Sequence, residues 1–586
     1  MNAAPFAALV GDSNEATRKL GAILDFLGVG WQAFSSAENF LGSVSNAVPR
    51  VILAPLLTIA ELVKTETRPR LADSIFAYGL EHIGASTSAL ASLAGKGASF
   101  ESVPNEKWLA TVTTDEPALT GPMRGLEVHL RRKPFDRVAK LKSRESVSEI
   151  ISTDDGPTFF SLEKDGTRIF ISGSCEIPDL DAPAKSKGYD VREEFFSAVP
   201  LLVYLKWAFR DAGWQASETG ACWIVDDPLL RMKYGFCDFP LLDRQMQEHA
   251  FSTNIAMIPW NSRRTAPDMA SLITRSSGRL SVSMHGCDHT AREFGIADQG
   301  ALHAKVDVAR ERMHEHQERT GVVHDAVMVF PQGVFSRESL RVLQEQDFAA
   351  AVNTETLPNE TPETKLTVRD LWSVAITHYG SFPLFTRRYP TDGIENFAFD
   401  ILLGKPCLVV QHHGFFKGQH AEVVRFVDAL NRLNSRLNWR GLGDVVRRSY
   451  QSQMAADGGV RVRMFANECL LKNTGEAERE YHIEKADAGS AGVREVAADG
   501  RPLEWQTDGE TLTLVCKIPS GAEVFLQVRY NRTKGINGVR KAGMSSAAKI
   551  AARRYLSEFR DNFLSRHDAL MALAQRAKRI TGKRRP

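Results

Sequence analysis

The sequence predicts a multidomain α/β protein with a barrel-like α/β domain at its centre. Its 586 residues are too many for one hydrophobic core. In two long stretches, apolar β-prone runs alternate with segments of helical periodicity, a pattern typical of parallel sheets. A third stretch has short alternating strands between turn signals, which predicts a small β-sandwich.

Residues 1–115 carry the first α/β pattern. Its signals follow in the order strand 6–13, helix 14–28, strand 31–35, helix 37–45, strand 50–54, helix 57–65 and strand 74–78. This order predicts a flavodoxin-like or receiver-like domain. No Asp follows the third strand, where a receiver domain carries its phosphoacceptor, so we expect a structural or docking role.

Four further regions follow along the chain. Residues 116–190 form a β-rich connecting region, with a hairpin over 158–172 that turns at Lys-Asp-Gly. Residues 191–455 carry the second α/β pattern and are long enough for a barrel-like domain. Residues 458–531 are the predicted β-sandwich, and residues 532–586 are a basic helical tail interrupted early by glycines.

Composition favours an ordinary globular protein in a reducing compartment. The seven Cys are scattered without a C-x-x-C pair, which is typical of reduced thiols. The N-terminus lacks the basic start of a secretory signal, and no apolar run reaches the length of a spanning helix. We therefore predict a cytoplasmic protein, with peripheral attachment to the inner face of the membrane as the alternative.

Three short strings contain the residues of the predicted site. They are Trp223–Pro228 (WIVDDP), Ser283–His289 (SMHGCDH) and Leu408–Gly414 (LVVQHHG). Each follows an apolar β-prone run, so each is expected at the C-terminal end of a buried strand. Barrels and open parallel sheets place their chemistry at this edge.

Together these strings contain the groups that a metal-dependent hydrolase needs. One carboxylate and two imidazoles can hold a divalent metal, with Zn²⁺ expected first and Co²⁺, Mn²⁺ or Ni²⁺ as alternatives. His285 and His289 are four residues apart, so both can reach one ion. Of the adjacent Asp226 and Asp227, one can bind the metal while the other accepts a proton. A further His can protonate the leaving group.

The order of these motifs resembles the polysaccharide deacetylase (NodB-homology) family of carbohydrate esterases, over about residues 215–420. The resemblance implies a distorted (β/α)₇ barrel of the glycoside hydrolase/deacetylase type. It also implies Asp226 as the base and Asp227, His285 and His289 as metal ligands. His412 is the first choice for the catalytic acid and His413 the second, because strand phase is uncertain by one residue.

The chain also departs from the family pattern. The R-P-P-Y-G motif has only a partial counterpart that includes Pro331 and Gln332, and its Arg, which supports the base, is missing. Arg387 or Arg388 is the candidate to replace it, and no D-x-x-D-W motif is visible. We predict Tyr234, Pro331, Gln332 and Arg388 as substrate-binding residues.

The predicted function is a metal-dependent hydrolase that removes an acetyl group from a polysaccharide or precursor sugar. One alternative is a hydrolase of the same fold that acts on a different bond. The other is a catalytically inactive carbohydrate-binding or scaffold protein of a polysaccharide-assembly system, which the missing Arg and the absent secretion signal favour.

The charge and apolar pattern of the tail predict a separate binding partner for it. From Arg532 onward the chain has about 15 Lys and Arg against 3 Asp and Glu, whereas the whole chain has a net charge of +2. Apolar residues recur at helical spacing within the tail. We expect it to dock on the protein's own acidic body or on an anionic membrane surface. Nucleic acid is the least expected partner, because no recognition motif accompanies the charge.

Overall fold

A computed structural model of the chain describes most of its residues. The described ranges are 5–43, 48–64, 71–79, 83–102, 106–141, 147–185, 188–360, 365–418, 420–487, 492–532 and 544–566. The glycine-containing start of the predicted tail and its last twenty residues lie outside these ranges. Among the described residues, no helix is long and apolar enough to cross a membrane.

The N-terminal part contains a nine-stranded sheet, a two-stranded sheet and helices. Its elements are β1 (Phe6–Val10), α1 (Asn14–Leu27), β2 (Gly30–Phe34), α2 (Ala37–Ser43), β3 (Val51–Pro55), α3 (Leu56–Val63), β4 (Ser74–Tyr78), α4 (Ile83–Ala94), β5 (Ser99–Glu101), β6 (Lys107–Val112), α5 (Pro117–Thr120), β7 (Glu127–Arg131), β8 (Val138–Lys140), β9 (Val147–Thr153), β10 (Gly156–Lys164) and β11 (Thr167–Ser172). The order of the nine-stranded sheet is β2-β1-β3-β4-β11-β10-β9-β6-β7, and the two-stranded sheet pairs β5 with β8. Strands β1 to β4 are parallel, as the flavodoxin-like pattern predicts.

The sheet runs across the boundary expected near residue 115. Strand β11 joins β4 in parallel, and β10 then pairs with β11 as the predicted hairpin. Asp165 and Gly166 at the hairpin turn both have positive φ, 50° and 73°, which a two-residue turn between twisted strands requires. The expected connecting region therefore extends the first sheet, because its hairpin supplies the next hydrogen-bonding edge.

The central part is a curled parallel sheet surrounded by helices. Its elements are α6 (Phe195–Ala208), β12 (Gln215–Ala216), β13 (Thr219–Asp226), β14 (Lys233–Tyr234), β15 (Cys237–Asp238), α7 (Phe239–Glu248), β16 (Thr253–Met257), α8 (Pro267–Arg275), β17 (Leu280–Met284), α9 (Gln299–Thr320), β18 (Asp325–Val329), α10 (Arg337–Glu345), β19 (Ala350–Asn353), α11 (Val368–Trp372), β20 (Leu384–Thr386), α12 (Ile394–Leu403), β21 (Cys407–His412), α13 (Ala421–Leu433), β22 (Leu437–Trp439) and α14 (Leu442–Arg448). The strand order is β20-β19-β18-β17-β16-β13-β21, with β22 beside the start of β13.

Two features define the centre of this curled sheet. A parallel bridge between Arg388, just after β20, and Val409 in β21 joins the two edges of the sheet. Alternate residues such as Cys222, Ile224 and Leu408 belong to an apolar cluster inside the curl. Their sequence neighbours pack outward against the helices, as the two-residue period of a strand requires.

The C-terminal part has two antiparallel-rich sheets that share one apolar core. Its elements are β23 (Gln451–Met454), β24 (Val460–Met464), β25 (Glu468–Lys472), β26 (Arg479–Ala486), β27 (Val493–Ala498), β28 (Arg501–Pro502), β29 (Trp505–Thr507), β30 (Thr511–Ile518), β31 (Glu523–Tyr530) and the tail helix α15 (Met544–Asn562). The sheets are ordered β12-β23-β24-β26-β30-β29 and β25-β31-β27-β28. The first sheet includes β12, which precedes the curled sheet in sequence, so the two parts share hydrogen bonds.

Candidate metal centre and its surroundings

Asp227, His285 and His289 lie together at the C-terminal edge of the curled sheet. Asp227 Oδ1 is 3.3 Å from His285 Nε2 and 3.0 Å from His289 Nε2. The candidate ligand atoms all lie within 4.8 Å of one another. Asp227 directly follows β13, whereas His285 and His289 follow β17, two strands along the sheet. This is the convergence that the sequence motifs predict.

Hydrogen bonding and charge within this group of three residues favour the binding of a cation. His285 Nδ1 is 2.9 Å from the carbonyl oxygen of Val329, which can only accept, so Nδ1 donates this hydrogen bond and Nε2 is the ring nitrogen that faces Asp227. Burial disfavours the ionised carboxyl, but the two histidines outweigh it and hold the pKa of Asp227 well below its usual range. One carboxylate oxygen and two imidazole nitrogens that converge in this way are a typical set of ligands for a metal ion.

Left-handed backbone is concentrated around these residues. Asp227 has φ 73°, His289 has φ 55° and Gln332, after β18, has φ 60°. Residues with a Cβ seldom adopt this conformation, and it persists where surrounding contacts impose it. The side chains of Asp227 and His289, which extend from such backbone, meet at 3.0 Å.

Glu293 organises the loop that presents His289. Its buried carboxylate accepts hydrogen bonds from the backbone N–H groups of four successive residues, Cys287 to Thr290, at 2.8 to 3.2 Å. Gly286 makes this close approach possible, because a Cβ there would lie 2.1 Å from Glu293 Oε1. The loop is therefore held from inside by one buried acid.

Asp226 is held by an arginine from the far side of the sheet. Arg387, which follows β20, donates two parallel hydrogen bonds to its carboxylate at 2.7 and 2.8 Å. Both side chains are buried, with 3% and 4% of Asp226 and Arg387 exposed. Burial opposes ionisation, but the charge of Arg387 outweighs it and lowers the pKa of Asp226. Asp226 is thus an ionised carboxylate next to the candidate metal ligand Asp227.

The two adjacent histidines after β21 differ in environment. Asp226 and His412 are register partners in neighbouring strands, so their side chains lie on the inner side of the curl. The side chain of His412 is exposed at this edge. His413 is instead enclosed beside Tyr234 and Phe236, and its ring stacks on Phe236 at 6.1 Å.

The tail helix α15 lies against this enclosed histidine. Asp561, which is 4% exposed, accepts a hydrogen bond of 2.8 Å from the hydroxyl of Tyr234. Its other carboxylate oxygen lies 3.4 Å from His413 Nε2. Glu558, one turn earlier, forms an ion pair with Arg264. Polar residues of the tail therefore cover Tyr234, His413 and Arg264.

The predicted substrate-binding residues occupy different places. Gln332 is exposed and its side-chain oxygen lies 3.5 Å from the N–H of Arg292, in the loop after His289, whereas Pro331 is buried and packs near Gly286. Tyr234 is only 2% exposed and binds the tail. Arg388 points away from the cluster and forms an ion pair of 2.6 Å with Asp400. The structure therefore does not bring Arg388 or Tyr234 to an open surface of this site.

Solved structures similar to this chain include carbohydrate deacetylases. Agd3, described as a novel carbohydrate deacetylase, matches with a TM-score of 0.48 and 9% identity, over 90% of this chain and 98% of that chain. A putative polysaccharide deacetylase from Mycobacterium smegmatis matches with a TM-score of 0.29 and 17% identity, over 40% and 92%. BA3943 from Bacillus anthracis, described as a CE4 family pseudoenzyme, matches with a TM-score of 0.25 and 9% identity, over 40% and 67%.

The resemblance predicted from the motifs is thus also found among solved structures. No protein-family model and no curated protein sequence matches the chain.

Three residues of this region had a weak signal or none in the sequence. Arg387 was one of two candidates, and only the fold separates it from its neighbour Arg388. Glu293 lies four residues after His289, and an acidic residue so close to the histidine pair is a sequence signal for a group that supports a ligand. Asp561 is 327 positions from its partner Tyr234, and no local pattern connects the two.

Proposed function

We propose that this protein is a metal-dependent hydrolase that removes an acetyl group from a carbohydrate. The observation that carries the proposal is the cluster of Asp227, His285 and His289 beside the buried, arginine-held carboxylate of Asp226. Metal-assisted hydrolysis of an acyl bond requires a metal site and an ionised base next to it.

Asp227, His285 and His289 would hold the metal. Their one carboxylate and two imidazoles suit Zn²⁺ first, with Co²⁺, Mn²⁺ or Ni²⁺ as alternatives. When bound, such an ion supplies Lewis acidity toward the acyl oxygen. Glu293 would keep His289 in place through the loop hydrogen bonds.

Proton transfer falls to two other side chains. Asp226 would accept the proton of the attacking water at its carboxylate, which Arg387 keeps ionised. His412 would donate a ring proton to the leaving nitrogen or oxygen, because it lies on the same inner side as Asp226 and is exposed. The choice of an acetylated carbohydrate depends on the motif order, and exposed Gln332 is the candidate contact for the sugar.

The test is acetate release from acetylated polysaccharides and chitooligosaccharides, measured together with metal content. Asp226→Asn should retain metal and lower turnover roughly 10²- to 10⁴-fold, whereas Asp227→Asn should lose metal. Equal metal loss in both variants would refute this division of roles. Glycan binding without turnover in the metal-loaded wild type would instead support the inactive scaffold function.

A further inference from the structure

The tail helix α15 is inverted relative to an ordinary surface helix. Arg554 and Asp561, on the side that faces the protein, are 3% and 4% exposed. Leu556 and Phe559 are 68% and 52% exposed, and Phe563 just beyond the helix is 62% exposed. Tyr555, at the edge between the two sides, is 56% exposed, and its ring contacts Trp260 and Arg264. We call Leu556, Phe559 and Phe563 the outward face. A helix that packs on a globular protein normally buries its apolar side.

The polar residues on the inward side of α15 are paired with residues of the protein. Asp561 binds Tyr234, Glu558 binds Arg264, and the side-chain oxygen of Asn562 accepts a hydrogen bond of 2.9 Å from the N–H of Gly235. These polar contacts hold the helix against the protein, so the outward face remains on the opposite side. The inversion therefore follows from specific contacts of the buried side.

The outward face is a continuous apolar surface. Phe559 and Phe563 stack with ring centroids 5.5 Å apart, and Leu556 lies one turn before them. The other exposed large apolar residues of the described chain are spread over the sequence from Trp31 to Val515. Contiguous exposed apolar surface marks a site of interaction.

The charges around this face select the partner. Lys549, Arg553, Arg560 and Arg566 are exposed on the same segment, whereas the side chains of its two acids, Glu558 and Asp561, are 14% and 6% exposed and turn inward. A second copy that met this face about a twofold axis would place like charges together. An anionic surface is attracted by the same charges.

We propose that the outward face of α15 docks into the interface of an anionic lipid bilayer. Apolar side chains flanked by Lys and Arg are the composition of helices that lie in the plane of a membrane surface. The inward polar side would stay on the protein, so docking requires no release of the helix. This inference goes beyond the proposed hydrolase function and does not depend on it.

The experiment is sedimentation of the full-length protein with vesicles of phosphatidylglycerol and phosphatidylcholine, and with phosphatidylcholine alone. Wild type should bind the anionic vesicles, and binding should weaken as salt is raised. The double variant Phe559→Glu/Phe563→Glu should lower the partition coefficient at least tenfold. Phe135→Glu is the matched control, because Phe135 is 56% exposed on another part of the chain. Lys549→Gln/Arg553→Gln should reduce both binding and its salt dependence.

Circular dichroism and thermal unfolding establish that each variant is folded, and size-exclusion chromatography reports self-association. Three results would overturn the proposal. They are no binding of wild type to anionic vesicles at low salt, binding that survives the double Phe variant, and a dimer that this variant dissociates. The first excludes a membrane partner, the second places docking elsewhere, and the third identifies a second copy as the occupant.

Discussion

Replacing Arg387 by methionine tests the support of the proposed base. The change keeps much of the volume of the side chain but removes the two hydrogen bonds of 2.7 and 2.8 Å to Asp226. Asp226 is then a buried carboxylate without its cation. Breaking a buried ion pair on one side costs about 3–5 kcal/mol, because the remaining charge is desolvated and uncompensated. We expect a loss of unfolding free energy toward the low end of that range, because the unpaired carboxyl of Asp226 can take up a proton instead of remaining a buried charge.

Activity should fall more than stability explains. A base that is neither ionised nor oriented loses roughly 10²- to 10⁴-fold in kcat. Arg387→Lys should recover part of kcat, since a Lys keeps the charge but not the two-pronged geometry. Metal content should remain unchanged, because the metal ligands are untouched.

The assay combines urea unfolding with acetate release at a temperature where all variants are folded. Arg388→Met is the matched control, because it breaks a neighbouring buried pair with Asp400. Arg388→Met should lower the unfolding free energy about as much as Arg387→Met does, yet reduce kcat by less than tenfold. Equal kcat losses in the two Met variants would show that Arg387 acts through general stability, which refutes its role in supporting the base.

Three further changes test other parts of the site. Glu293→Gln should lower metal affinity about 10- to 100-fold, since the loop that presents His289 loses charged acceptors. Gly235→Ala should destabilise by about 1–3 kcal/mol, because the new Cβ would lie 2.1 Å from His413 Nδ1. In Asp561→Asn we expect a stability loss on the order of 1–2 kcal/mol at pH 7. Burial opposes ionisation, but His413 and an adjacent Arg lower the pKa of Asp561 to about 2. Its stabilisation is present above the unfolded pKa of about 3.9 and is lost as pH falls toward the folded value.

Each of these changes has its own check. Glu315→Gln, at an exposed ion pair, should leave metal affinity unchanged, and a matching loss there would contradict the role of Glu293. Gly278→Ala has φ 84° and no heavy atom near its Cβ position, so it measures backbone strain without the steric contact. Asp561→Asn should equal wild type in unfolding free energy near pH 2. A difference that is constant with pH would show that Asp561 does not stabilise through its charge.

Much of the fold could be predicted because its signals are local. The predicted strands at 6–13, 31–35 and 74–78 correspond to β1, β2 and β4, and the predicted helix at 14–28 corresponds to α1. Strand phase near His412 was uncertain by one residue. Pairing with β13 settles the phase, since Asp226 and His412 are register partners. The sheet boundary near residue 115 could not be predicted, because it depends on which edge the hairpin joins.

By itself, the sequence determined which polar residues end successive strands, and therefore that Asp227, His285 and His289 would meet. Parallel strands present their C-terminal ends at one edge, so order along the chain becomes proximity in space. Only the tertiary structure decided that Arg387 rather than Arg388 holds Asp226, across 161 positions. It also decided which side of α15 is buried. Periodicity shows that a helix has two faces, but it does not show which face packs on the protein. Here the hydrogen bonds of Tyr234 and Arg264 to the acids of α15 compensate the desolvation of those acids, so the polar face is the buried one.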